Sequence, residues 1–120
     1  MTNYDDNNIF AKILRGEIPN TTVYEDDHTL AFEDVNPQAP VHVLVIPKGK
    51  YVSMTDFSEQ ASDAEMAALN RAVLKVVEAK GLINDGYRIL ANAGTNGHQE
   101  VSHFHIHVFG GKLLGPMLSR

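Results

Sequence analysis

The chain has 120 residues, of which 43% are hydrophobic, enough for one ordinary domain to bury a core without a disulfide or a structural metal. It contains no cysteine, which excludes disulfide staples and thiol catalysis and fits a reducing, cytoplasmic setting. A net charge of −5 argues against a nucleic acid polymer as partner, and the polar N-terminus with no apolar run near ~20 residues argues against a signal peptide, a membrane helix or a membrane partner.

Ile9, Phe10, Ile13 and Leu14 stand at helical spacing and are stopped by Gly16 and Pro19, predicting a short amphipathic helix. TTVYED and TLAFEDV, separated by Asp26, Asp27 and His28, predict a hairpin. Asn36, Pro37 and Pro40 break the chain before VHVLVIPK, a β-branched and mostly apolar run that predicts a central strand closed by Pro47 and Gly49. Ser62 and Glu65 have capping-box spacing. The three- and four-residue steps from Met66 to Val77 then predict one long helix, ending at Gly81. YRILAN predicts a strand, AGTNG a turn and VSHFHIHVFGG the final strand. Strands joined by hairpin-length turns and interrupted by one long helix predict an α+β domain: an antiparallel sheet of about five strands with one long and one short helix.

Half of the six histidines fall in HFHIHVF. On a strand, His103, His105 and His107 share one face, while Phe104, Ile106 and Val108 face a core. Residues two apart on a strand are ~6.7 Å from each other and the outer pair ~13 Å, so three such rings cannot converge on one zinc ion at ~2.0–2.1 Å. A metal would need a further ligand, with His42 the obvious candidate, and the shortage of ligands leaves the metal-site expectation at none. A neutral imidazole is a competent nucleophile near pH 7. Between Asn92 and Glu100, NAGTNGHQE offers glycines and neutral donors to an anion, and no lysine or arginine stands from Ile89 to Gly111. Such a site suits a singly charged phosphodiester-like group better than a triphosphate and gives no cluster for magnesium.

HFHIHVF resembles the H-x-H-x-H signature of the histidine triad (HIT) nucleotide-binding proteins. VNPQAPVHVLVIPK and NIFAKILRGEIP resemble the N-terminal blocks of their Hint branch. The resemblance runs from about residue 8 to 111, within a single domain over 1–120 whose tail is 112–120. It implies a homodimeric α+β enzyme, with no cofactor, that hydrolyses purine nucleoside phosphoramidates, with aminoacyl adenylates as an alternative substrate, through a nucleotidyl-histidine intermediate. Carried over by position, it makes His105 the nucleophile. His103 fixes its tautomer, His107 contacts phosphate and leaving group, and His42 relays protons. Asp34 matches the ribose-binding carboxylate, Phe10, Ile18, Phe32 and Val35 match the base pocket, and Asn92 and Gln99 match polar positions near ribose and phosphate. Glu100, counted with the nucleotide-binding positions, departs from a usual serine or threonine, Ser102 from an aromatic and His98 from a glycine.

Plainer readings stand beside these. His42 also fits a hydrogen-bonded core histidine, Asp34 the first residue of a turn, and Phe10, Ile18, Phe32 and Val35 ordinary packing. The competing functions are a nucleotide-binding or scaffold protein without catalysis, and a zinc-binding protein.

Overall fold

The structure is a computed structural model and describes residues 3–118, so the first two and last two residues of the predicted domain lie outside the described part. In chain order it contains α1 (Ile9–Leu14), β1 (Thr22–Glu25), β2 (Thr29–Glu33), β3 (Val41–Pro47), α2 (Met54–Gln60), α3 (Asp63–Ala79), β4 (Arg88–Leu90) and β5 (Ile106–Gly110). The strands form one antiparallel sheet in the order β1-β2-β3-β5-β4. The predicted α+β sheet is therefore present, and VHVLVIP is its central strand.

The apolar character of β3 on both sides follows from its place. Val43 and Val45 face α3, where they join Ala31, Phe104, Val108 and the buried α3 stripe of Leu69, Ala72, Val73, Val76 and Val77. Leu44 and Ile46 face the other way and pack with Leu30, Phe32 and Phe10 of α1. The sheet thus has a thick core on one side. On the other side a thinner apolar layer leaves room for a cavity.

Helix ends are set by local chemistry. Ser62 Oγ accepts from Glu65 N–H at 3.1 Å while Glu65 Oε1 accepts from Ser62 N–H at 3.0 Å, the reciprocal cap foreseen at the start of α3. Gly16 and Gly81 follow α1 and α3 in the left-handed region, φ 77° and 66°.

Two elements differ from expectation. A second short helix, α2, follows a capping box made by Ser53 and Asp56 and buries Phe57. The final strand is shorter than VSHFHIHVFGG, because only His107 of the triplet lies in it. In register, Pro47 would face Phe104. Proline has no N–H to give, and Phe104 N–H bonds to the Tyr51 carbonyl at 2.7 Å instead. His103 and His105 consequently sit in the lead-in to β5, outside the strand.

Candidate active site

The imidazoles are ordered by hydrogen bonds that fix which nitrogen holds the proton. His103 Nε2 is 2.8 Å from the Pro47 carbonyl, a pure acceptor, so Nε2–H donates and Nδ1 accepts. His105 Nδ1 is 2.7 Å from the His103 carbonyl, which puts the proton on Nδ1 and the lone pair on Nε2. His42 Nδ1 accepts the Gln38 N–H at 3.1 Å, so Nε2–H donates, 2.9 Å from His107 Nδ1 and 3.3 Å from Asp34 Oδ2. His107 must then carry its proton on Nε2. One neutral arrangement satisfies every bond: a ring with a free lone pair at His105 and a ring with an outward N–H at His107.

His105 and His107 meet with centroids 4.9 Å apart, and Phe10 stands edge-on to His105 at 5.0 Å. Both histidines line a cavity of about 760 Å³ on the α1 side of the sheet. Of the positions read from the sequence, Phe10, Ile18, Phe32, Asp34, Val35, Asn92 and Glu100 also line it. His103, His42 and Gln99 do not. His103 is fully buried behind the cavity wall, and His42 lies behind His107. Gln99 donates from Nε2 to the Val52 and Val101 carbonyls at 2.6 and 2.9 Å and accepts Gly94 N–H at 3.0 Å, so its amide braces the 94–99 turn.

Asp34 stands in the turn of its plainer reading and also meets a histidine. Its Oδ1 accepts Asn36 N–H at 2.8 Å, which builds the turn, and its Oδ2 faces His42. Val35 lines the cavity yet is 90% exposed, so it forms a rim. At the same mouth His98 and Glu100 pair at 2.9 Å. His98 has φ 59°, a left-handed conformation that glycine adopts freely and histidine does not. The same geometry gives a physical reason for a glycine there.

Burial sets the electrostatics. It pushes His103 and His107 down to about 4, with neighbouring histidine charge adding to the effect, and it lowers His105 and His42 as well. Burial thus favours the neutral form of all four rings, the form that the hydrogen-bond pattern accommodates.

Among the described residues, the side chains that could together hold a metal are Asp34, His42 and His107, whose ligand atoms fall within 4.8 Å of one another. This set differs from the H-x-H pair considered from the sequence. Its two histidines are already bonded to each other, and His42 would have to lose its Nε2 proton to become a ligand. Sequence reading missed three contributors: the Pro47 carbonyl, the Gln38 N–H and the Tyr4 hydroxyl, which is 2.6 Å from His103 Nδ1. Main-chain groups carry no residue-type signal, and a tyrosine in a polar N-terminus has no spacing to betray it.

Comparisons with known proteins show the family. The chain is 59% identical over 117 residues to an uncharacterized 13.2 kDa HIT-like protein of Azospirillum brasilense, covering 98% of this chain and 96% of the relative. It is 43% identical over 111 residues to the purine nucleoside phosphoramidase of Escherichia coli K12, covering 92% of each. Among solved structures, a HIT family hydrolase from Clostridium thermocellum superposes with a TM-score of 0.86 at 38% identity, over 96% of this chain and 99% of that one. The HIT domain model matches residues 15–113, and with histidines, sheet and relatives all in accord, the chain belongs to the HIT domain family.

Proposed function

We propose that this protein is a hydrolase that cleaves the P–N bond of purine nucleoside phosphoramidates through a covalent nucleotidyl-His105 intermediate. The observation that carries the reading is the 2.7 Å contact of His105 Nδ1 with the His103 carbonyl, which commits the proton to Nδ1 and leaves Nε2 nucleophilic at the cavity wall. His105 Nε2 attacks phosphorus and the P–N bond breaks. The departing amine takes a proton through His107, with His42 and Asp34 behind it. Water then attacks phosphorus, the bond between phosphorus and His105 Nε2 breaks, a proton returns by the same route, and the nucleoside monophosphate leaves with His105 free.

The cavity supports the substrate class. Phe10, Phe32 and Ile18 offer apolar surface to a base, Asp34 can accept ribose hydroxyls, and no lysine or arginine is among the described lining residues. A polyphosphate would lack cationic partners there. The relative named as a purine nucleoside phosphoramidase points the same way. We place the protein in the cytoplasm as a homodimer, in keeping with the family resemblance.

The test is turnover of an adenosine phosphoramidate by the purified protein in excess chelator. Stoichiometric release of AMP and amine is expected, unchanged by the chelator. Absence of AMP release, or activity that returns only on adding zinc, would overturn the reading.

A further inference from the structure

Tyr4 precedes α1 and lies outside residues 15–113, the span matched by the family model. Its phenol nevertheless reaches the back of the histidine cluster. The hydroxyl is 2.6 Å from His103 Nδ1, and the two rings meet edge-on, centroids 5.5 Å apart at 74°. The other nitrogen sets the direction of the bond. Because Nε2–H is committed to the Pro47 carbonyl, Nδ1 of the neutral ring can only accept, and Tyr4 O–H donates.

The segment that carries Tyr4 is itself tied down. The Asp6 carboxylate pairs with Lys50 at 2.8 Å, and the Asp6 carbonyl accepts from Arg15 Nη1 at 2.8 Å. The Asp5 carbonyl accepts both the backbone N–H and the side-chain amide of Asn8, the N-cap of α1, at 3.1 and 2.7 Å. These bonds bring the phenol to a fixed point rather than leaving it on a loose terminus.

We propose that Tyr4 is a positioning residue of the hydrolytic site: by donating to His103 Nδ1 it holds that ring in one orientation, and through the His103 carbonyl it holds the nucleophilic ring of His105. This rests on the phosphoramidate-hydrolase reading for its kinetic consequence. The linkage runs through one residue. The His103 ring is pinned at both nitrogens, by Tyr4 and by Pro47, while the carbonyl of the same residue receives the Nδ1–H of His105. Without the hydroxyl, a fully buried Nδ1 has lost its donor. The ring can recover one only by turning, which breaks the Pro47 bond and moves the backbone that aims His105.

Tyr4→Phe removes the oxygen and keeps the ring. We expect kcat for an adenosine phosphoramidate to fall about tenfold with KM within about twofold, the signature of a misaligned nucleophile. Side-chain ¹⁵N spectra should show the Nε2–H tautomer of His103 in the wild type, and displaced nitrogen shifts of both His103 and His105 in Tyr4→Phe. Lys75→Ala, which breaks only the exposed pair with Glu78 on α3, should keep wild-type kcat and the wild-type His103 spectrum. A truncation that removes residues 1–4 should reproduce both effects of Tyr4→Phe if that variant folds poorly. Wild-type kcat in Tyr4→Phe, or a loss of kcat with unchanged His103 and His105 nitrogen shifts, overturns the proposal. If the wild type does not turn over the phosphoramidate, the hydrolase reading fails, and the nitrogen shifts of Tyr4→Phe alone decide whether Tyr4 sets the two rings.

Discussion

His105 and Asp34 carry the residue-scale consequences. Burial holds His105 below its ordinary value, so the nucleophile stays unprotonated further into acid than a free imidazole would. The acid limb of kcat/KM is therefore expected below pH 6.5, and a limb at or above that value would show a ring more solvated than this one. His105→Ala should abolish turnover while keeping AMP binding within about tenfold, or ~1.4 kcal/mol. Isothermal titration and a discontinuous AMP assay read the two effects separately. For Asp34, the contacts with Asn36 N–H and His42 leave open carboxylate lone pairs for ribose hydroxyls, each charged hydrogen bond being worth ~1.5–3 kcal/mol. Asp34→Asn should shrink the ribose-over-deoxyribose ratio in kcat/KM. An equal loss on both sugars would assign Asp34 to the His42 relay and the turn alone. The triplet histidines were legible because they stand at alternate positions, whereas His42 and Asp34 were singled out by the family resemblance. Tyr4 was not, since its partner is 99 residues away.

Elements were legible where local chemistry and tertiary context agreed. The α3 cap, the hairpin turn at Asp26–His28 and the central place of VHVLVIP all follow from patterns within a dozen residues. The lead-in to β5 did not, because its departure from the sheet depends on Pro47 and Tyr51, both far away in sequence. Likewise α2 has seven residues, too few for apolar periodicity to stand out, although Ser53 and Asp56 repeat the capping pattern used at α3. The α3 cap gives a direct test. Ser62→Ala removes the acceptor for Glu65 N–H and should lower unfolding free energy by about 1 kcal/mol with activity at 25 °C unchanged. Urea denaturation followed by circular dichroism reads the first, and a loss of under ~0.3 kcal/mol would mean that α3 is held by its core stripe alone.

At the scale of the whole molecule, β4 is an edge strand whose outer side has no sheet partner among the described residues, and Ile83, Tyr87 and Ile89 near it are about half exposed. Such an edge could pair with a second copy, and the proposed homodimer should scatter as a particle of about 26 kDa, twice the 13.2 kDa chain. A 13 kDa particle at micromolar concentration would remove that expectation.

Acid stability belongs to the same scale, because His42, His103, His105 and His107 all lose proton affinity on folding. Each ring is neutral in the fold and protonates more readily when unfolded. Between about pH 6.5 and 4 the unfolded chain therefore holds more protons, and stability drops as the solution is acidified. For fully buried His103 the shift from 6.5 to about 4 corresponds to roughly 3 kcal/mol lost by pH 4. That is a large part of the ~5–15 kcal/mol that holds a domain together. Carboxylates with lowered values, such as Glu65, act in the same direction but only near and below their ordinary 4.5. The interval from pH 6.5 to 5 is thus the histidines' own. Urea midpoints should be level from pH 8 to 7 and fall steadily from 6.5 to 5. Midpoints that stay level down to pH 5 would mean the rings take up protons without leaving the fold, contrary to the buried and neutral cluster described for this site.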